Sequence, residues 1–562
     1  MRNIKRGTVL AVRAIGGLHV VTLAWDFVEG NESKRKDLLG FAIERTELKD
    51  GQEVERYFLR GIKRFEFKDE GLAPGTPVPT SEHTVQSFQW ADYTAKPRTS
   101  YRFRVVPCYG KPKLLTLDEA SATSVDIETE AEAGKAGAHG AAAHDVFFNR
   151  GAAGSQAYAR RFPNQLPDQA KPQSEQMKWL SRGLYEALIK FIGLASGPNY
   201  SLRAMLYEFH YLPVGLAFKA AKKAKANVAI RYEASSYQKV NEAMIAKAGI
   251  KTLCKPQKVR DGIRHNKFIV LLKDGNPIAV WTGSTNISAG GIFGHSNVGH
   301  VVWDPDVAQR YLDYWDRLAD PNVTRAPLVA ANLECEPTPE TTDVSGARVL
   351  TLYSPRDDKD ELPTLEWFAH LMKSAERMVC ITYAFNLDQR FLDVLKDPGD
   401  TLRYAVFDDI PSTKITEQIQ LAKNTVIAAG AKLEGGDLDD FNPEVLTGFN
   451  SNNYIHDKFM LIDPLGAHPV VVTGSANFSA SSQWKNDENM LVIAGDKRVA
   501  DIYFGEFMRV FDHLYSRYIV AVMKKAGTHD PKAGYLDETD SWVKSHFKPG
   551  RKELRRQYFM ME

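Results

Sequence analysis

The chain has 562 residues, 72 lysines and arginines against 70 aspartates and glutamates, and a formal net charge of +2. That length exceeds what one core organises, so two to four domains are expected, and 43% hydrophobic with 25% charged residues is ordinary for a globular chain. The balanced charge excludes a global electrostatic commitment to nucleic acid or to an anionic membrane, so any such attraction has to come from a local patch.

Four cysteines, Cys108, Cys254, Cys335 and Cys380, stand far apart, without metal-ligand spacing or the density of a disulfide framework; a reduced compartment fits. Arg2, Lys5 and Arg6 precede a short apolar stretch, 8–14, that Arg13 interrupts. It reads as a strand and not as a secretion signal. No run of about 18 apolar residues is present, so no transmembrane helix is expected, and the expected location is cytoplasmic.

Residues 1–130 read as short strands at 8–14, 19–25, 40–46, 55–59, 87–91, 100–106 and 124–129, separated by polar and Gly/Pro-rich turns, which predicts an all-β sandwich. Within it, Val20-Val21-Thr22-Leu23-Ala24-Trp25 resembles the second strand of a fibronectin type III domain, and Tyr101-Arg102-Phe103-Arg104-Val105 resembles the later strand that begins with a tyrosine. The resemblance implies a structural or spacing module, with a docking surface for substrate or partner as the alternative. Residues 131–175 read as a linker. An Ala/Gly-rich run from Ala133 to Ala143 makes it flexible, and His139 and His144 in it are isolated and not expected to be ligands. Phe147-Phe148-Asn149-Arg150-Gly151 in this connector points to docking on the next domain, beside the site.

From 176 onwards helices and strands alternate, and the order runs twice, over 176–335 and 345–527, joined by the Pro/Thr/Glu-rich 336–344. Alternation implies helices packed on a sheet, and two such α/β halves imply an internal pseudo-dimer. Leu206-Tyr207-Glu208-Phe209 matches Thr382-Tyr383-Ala384-Phe385 between the passes. The second pass predicts a helix over 414–429 followed by a strand at 432–434. A long amphipathic helix is expected over 499–525. The tail, 528–562, interleaves Lys544, Lys548, Arg551, Lys552, Arg555 and Arg556 with Trp542, Phe547, Tyr558 and Phe559, which fits either a nucleic-acid contact or a terminal helix with a solvated basic face.

One two-part segment occurs twice. His265-Asn266-Lys267 is followed by Gly283-Ser284-Thr285-Asn286, and His456-Asp457-Lys458 by Gly474-Ser475-Ala476-Asn477. The His-to-Gly distance is 18 both times (283−265 and 474−456), and the copies lie 191 residues apart (456−265). On a strand, His and Lys at i and i+2 share a face. Imidazole attacks or gives up a proton near neutral pH, lysine neutralises phosphoryl oxygens, and Asn and Ser add hydrogen bonds.

The duplicated pattern resembles the phospholipase D superfamily, over about 175–525. The resemblance implies phosphodiester cleavage between two halves, with one histidine forming a phosphohistidine and the other protonating the leaving oxygen. Two lysines then supply the charge a metal would, so no cofactor and no metal is expected. Asp463 stands five residues after Lys458, a supporting position in the family; in the first copy the place is Leu272, with Asp274 beyond. The family's histidine-holding group lies 32 residues after each His, which is Asn297 for the first copy and Glu488 for the second. Glu488 beside His456 would favour an imidazolium, so His265 is expected as nucleophile and His456 as general acid and base. The expected partner is a phosphodiester substrate, DNA or RNA favoured. His-Asp-Lys-Phe-Met and Asn-Asp-Glu-Asn are similar to nuclease-like members, and Lys219, Lys222, Lys223 and Lys225 form a basic cluster. A phospholipase using the apolar segments 211–214 and 290–293 at an interface is the alternative, and a non-catalytic scaffold a second. Oligomeric state is not specified by this pattern.

Overall fold

The computed structural model describes residues 1–72, 75–134, 143–151, 155–163, 165–258, 260–346, 349–384, 387–409, 411–420, 422–430, 455–525 and 534–561. His139 and the expected strand at 432–434 lie outside the described residues.

The N-terminal region pairs two sheets face to face. One runs Arg2–Arg6, Leu10–Gly16, Val21–Phe27, Gln89–Asp92; the other runs Leu114–Leu117, Ser100–Lys111, Gly40–Lys49, Gln52–Phe58, with Thr123–Glu128 also paired to Ser100–Lys111. Alternating apolar positions turn inward, so Trp25, Phe41, Tyr101, Phe103 and Val125 form one buried core. The strands at 2–6 and 114–117 are additional to those expected. The first is charged and exposed apart from Arg2 and Ile4, and gives little periodic signal.

Two seven-stranded sheets follow, with the same spatial order. The first runs Ala143–Phe148, Val298–Trp303, Asn276–Gly283, Lys267–Lys273, Tyr200–Leu206, Asn227–Tyr232, Cys254–Pro256. The second runs Val349–Ser354, Glu488–Ala494, Val470–Gly474, Phe459–Ile462, Met378–Tyr383, Leu402–Phe407, Thr425–Ala429. In each, the last three strands are mutually parallel and the others antiparallel. One face of both sheets meets in a single core that contains Phe268, Val280, Phe459 and Val471 together with Tyr503, Phe507 and Phe511 of the long helix Lys497–Lys525. The opposite faces are covered by separate helical layers.

Several expectations are corrected. The stretch 131–175 is not a uniform linker: Ala143–Phe148 is an edge strand of the first sheet, and helices occupy Ser155–Arg161 and Glu175–Ser181. His144 is not isolated, because its Nδ1 meets His300 Nε2 at 2.8 Å in a buried pair. The helix expected over 414–429 is a helix at Thr413–Gln420 and then the strand Thr425–Ala429; Thr-Val-Ile-Ala-Ala is buried at every position and takes the sheet's outermost place. The tail does not trail into solvent. Trp542, Val543 and Phe547 join the N-terminal core, and Phe559 packs on Phe504 at 5.5 Å, while Lys544, Lys548, Arg551 and Lys552 face outward. No helix among the described residues is long and apolar enough to cross a membrane.

Candidate active site

The site lies where the two sheets abut, and its geometry begins with two glycines. A Cβ on Gly283, whose φ is +123°, would meet the Val298 carbonyl oxygen at 2.4 Å, and one on Gly474 would meet the Asn489 oxygen at 2.2 Å. Bare backbone at these points lets each Gly-Ser turn press on the neighbouring strand. Ser284 N–H then donates to the Val298 carbonyl (3.1 Å) and Ser475 N–H to the Asn489 carbonyl (2.9 Å). The serine hydroxyls in turn accept from Val298 N–H (3.1 Å) and Asn489 N–H (3.0 Å). Each hydroxyl has one proton left, and it goes to the residue 13 further on. Ser284 donates to Asn297 Oδ1 and Ser475 to Glu488 Oε2, both at 2.8 Å.

Those two acceptors hold the histidines crosswise. His265 Nδ1 lies 3.0 and 2.9 Å from the two oxygens of Glu488, and His456 Nδ1 lies 2.9 Å from Asn297 Oδ1. The backbone repeats the exchange: His265 N–H donates to the Asp487 carbonyl (3.0 Å) and His456 N–H to the Ser296 carbonyl (3.2 Å). The expectation that each half's own residue at the 32-residue offset holds its own histidine is therefore corrected. The carboxylate belongs to His265 and the amide to His456. The earlier reason for making His456 the acid, a carboxylate beside it, falls with that pairing. A residue 32 places after each histidine recurs whether it serves its own half or crosses a symmetric junction, so the recurring offset does not show that the holders stand 223 and 159 residues away.

The network also fixes where the protons sit. Asn297 Nδ2 donates to the Gly291 carbonyl (2.8 Å), so its oxygen faces Ser284 and His456 and can only accept. Both rings therefore carry hydrogen on Nδ1 and leave Nε2 for chemistry. The ring centroids are 6.5 Å apart.

Burial dominates the electrostatics. His265 is pushed down to about 4, chiefly by desolvation, with Glu488 opposing and Lys267 assisting. His456 is held well below its usual range by burial and then by Lys458 and Lys267. Burial also lowers Lys267, and Lys458 to about 8. Burial alone would raise Glu488, yet His265, Lys267 and the Ser475 hydroxyl bring it below the ordinary carboxylate range. The free site thus holds neutral imidazoles and an ionised Glu488. Lys267 and Lys458 donate to the carbonyls of His265 and His456 respectively.

Asn286 donates through Nδ2 to Glu208 Oε1 (2.7 Å), and the amide oxygens of both Asn286 and Asn477 are buried without a hydrogen-bond partner. Asp463 sits away from the rings. Its carboxylate accepts three backbone N–H bonds, from Glu376, Arg377 and Met378, each at 2.8 Å. Leu272, in the corresponding place, is a buried core residue.

Sequence reasoning missed Glu208 and Tyr207, whose ring packs edge-on against His265 at 4.7 Å. The internal match at these residues is also shifted by one. Lys267 pairs with Leu206, while Met460 pairs with Ile381, so Lys458 stands opposite Tyr383. Leu206 pairs with Tyr232 and Tyr383 with Phe407 on the other side. Ala384 is thus the counterpart of Tyr207; the tyrosines at 207 and 383, which look alike along the chain, are not equivalent. Asn149, from the flagged Phe-Phe-Asn-Arg-Gly stretch, accepts from Asn297 N–H (3.0 Å) and donates to the Ile292 and His295 carbonyls.

Residues 413–511 match the family model described as "Cardiolipin synthase, PLD-like domain". This part of the chain is similar to a phospholipase D-like domain. It contains His456, Lys458, Asp463, Ser475, Asn477 and Glu488. Comparison with curated proteins finds no match. Among solved structures, the phospholipase D family member Nuc of Salmonella typhimurium is 25% identical, over 24% of this chain and 85% of that chain, with a TM-score of 0.20. Phosphatidylserine synthase of Haemophilus influenzae Rd KW20 is 11% identical, over 68% of this chain and 94% of its own, with a TM-score of 0.40. Yeast tyrosyl-DNA phosphodiesterase is 11% identical, over 55% and 85%, with a TM-score of 0.33. Within the matched segment, His456 depends on an amide from residue 297, which lies outside it.

Proposed function

We propose that the chain is a phosphodiesterase whose two seven-stranded sheets are tandem phospholipase D-like halves of an internal pseudo-dimer, preceded by a fibronectin III-like sandwich. The observation that carries this reading is the reciprocal hold on two facing histidines, each with Nδ1 engaged and Nε2 free. In this scheme His265 Nε2 attacks phosphorus. The bond from phosphorus to the leaving oxygen breaks, and His456 Nε2 gives that oxygen its proton. The ring of a phosphohistidine gains positive charge, which the Glu488 carboxylate on Nδ1 offsets. His456 needs a proton before the step, and a phosphate anion bound between the rings counters the lysines that keep it neutral in the free protein. Lys267, Lys458, Asn286 and Asn477 face the phosphoryl oxygens, and Ser284 and Ser475 brace the two holding groups.

Nucleic acid is the favoured substrate. Lys222, Lys223 and Lys225 are exposed on and just after the helix Leu212–Lys223 and form a patch that can track phosphates. The segments considered for lipid contact support the lipid alternative poorly, because Tyr211, Val214, Ile292 and Phe293 are buried in the core of the first sheet.

The test is an assay in EDTA on single-stranded DNA, duplex DNA, RNA and phosphatidylcholine vesicles, with His265→Ala as control. Nucleic-acid cleavage lost in the control is the expected result. Turnover on vesicles alone moves the reading to a phospholipase. Strict dependence on added metal, or no turnover and no phosphoenzyme, sinks it.

A further inference from the structure

A third histidine stands beside the two of the doubled segment. The rings of His295 and His456 have centroids 6.0 Å apart, close to the 6.5 Å between His265 and His456. The backbone of His295 is fixed on both sides. Its N–H donates to the Gly290 carbonyl (2.9 Å), and its carbonyl accepts from Asn149 Nδ2 (2.7 Å). His456 is buried, whereas His295 is partly exposed. The two repeats differ at this place. His295 lies 30 residues after His265, and Asn486 lies 30 residues after His456 (295−265 and 486−456). Asn486 donates to Glu488 Oε1 (3.3 Å) and accepts from Ile263 N–H (3.1 Å), so an amide completes the hold on His265. Beside His456 the corresponding place carries a titratable ring.

We infer, on the phosphodiesterase reading above, that His295 relays protons between solvent and His456. The two rings of that scheme have different needs. His265 attacks as a neutral base and takes no proton beforehand. His456 is neutral in the free protein and gains its proton once substrate stands between the rings and covers its Nε2. A route from the side is then required, and His295 is the neighbour with one part in solvent. Burial lowers His295 too, with Glu208 opposing and Lys458 assisting, but less far than His456. The outer ring thus holds a proton more readily than the inner one. His295 takes a proton from solvent and passes it to His456 Nε2, directly or through one water. His456 gives it to the leaving oxygen as the bond from phosphorus to that oxygen breaks. His295, neutral again, is recharged from solvent.

The experiment compares the full chain with His295→Asn and His295→Gln on two kinds of diester. Bis(p-nitrophenyl) phosphate releases a nitrophenolate, which leaves without a proton. The second substrate is whichever of single-stranded DNA, RNA and phosphatidylcholine the unsubstituted chain cleaves fastest, each of which releases an alkoxide that has to be protonated. On that substrate kcat is expected to fall on the order of 100-fold, and to rise again with the concentration of added imidazole. KM there, and kcat on the nitrophenyl ester, should stay within a small factor of the parent. Equal losses on both substrates in variants that melt like the parent overturn the inference. So do an unchanged kcat on the second substrate, a fall that imidazole does not reverse, and turnover of the nitrophenyl ester alone by the unsubstituted chain. His295→Asn carries the side chain that the other repeat has at this place; should it not melt cooperatively, His295→Gln decides. Should the nitrophenyl ester not be turned over, the response to imidazole decides. Absence of turnover by the unsubstituted chain on every diester sinks the parent reading instead.

Discussion

Glu488 and Asn297 take equivalent places after their Gly-Ser turns, and each serves the histidine of the opposite half. The exchange of Glu488 for glutamine keeps a hydrogen-bond acceptor at His265 Nδ1 and removes the negative charge. Glu488→Gln is expected to lower kcat on the order of 100-fold while leaving KM within a small factor. A rise in KM with unchanged kcat would argue against charge stabilisation. The pH profile follows from the directions of the shifts. Protonated His265 has no lone pair to attack with, so activity is lost as pH falls through about 4. Lys458 loses its charge as pH rises through about 8, so substrate binding weakens there. A profile of kcat/KM with its acid limb near 6.5, an unshifted histidine, would contradict the burial argument. The recurrence of His, Lys, Ser and Asn is legible because residue type and spacing repeat together along the chain. The pairing of rings with their holders was not legible, since it depends on how two sheets meet.

Elements were legible where period and turn residues agreed, as at Val21–Phe27, Ser100–Lys111 and Lys497–Lys525. A short apolar run carries no period, and Thr425–Ala429 reads in sequence as the end of a helix although it forms a strand. The one-residue shift between Tyr207 and Tyr383 has a similar origin. Identity in letters competes with register, and register is set by neighbours on both sides. Asp463 shows what one side chain does for an element, since it caps the entry to Met378–Tyr383 through three backbone N–H groups. Asp463→Ala should cost about 2 kcal/mol of stability in urea unfolding, with kcat close to the parent value. Loss of kcat without loss of stability would instead place Asp463 in the chemistry.

The whole molecule is closed by its tail. Helix Arg551–Met560 lies against Val21–Phe27 and Leu402–Phe407, and Arg556 pairs with Asp26 of the N-terminal sandwich. Trp542 Nε1 donates to the Leu38 carbonyl (3.0 Å), and Arg13 donates to the Phe559 carbonyl (3.1 Å). Such contacts span most of the chain's length, so composition of the tail read by itself points to a basic, aromatic appendage. Phe559, fully buried between the sandwich and the long helix, makes the role measurable. Phe559→Ala is expected to cost about 3 kcal/mol in chemical denaturation and to leave kcat/KM unchanged. A substitution that alters substrate affinity with no change in stability would return the tail to the list of binding surfaces.

The crosswise hold on the rings also bears on how such a chain can change over time. Duplication ordinarily frees one copy to drift while the other keeps the task. Here each copy supplies half of the other's machinery, Glu488 for His265 and Asn297 for His456. Damage to either repeat disarms the ring of its neighbour, so the doubled segment offers no spare. On the proposed reading the two repeats have to change as one unit, with the carboxylate beside one ring and the amide beside the other as complementary parts of a single site.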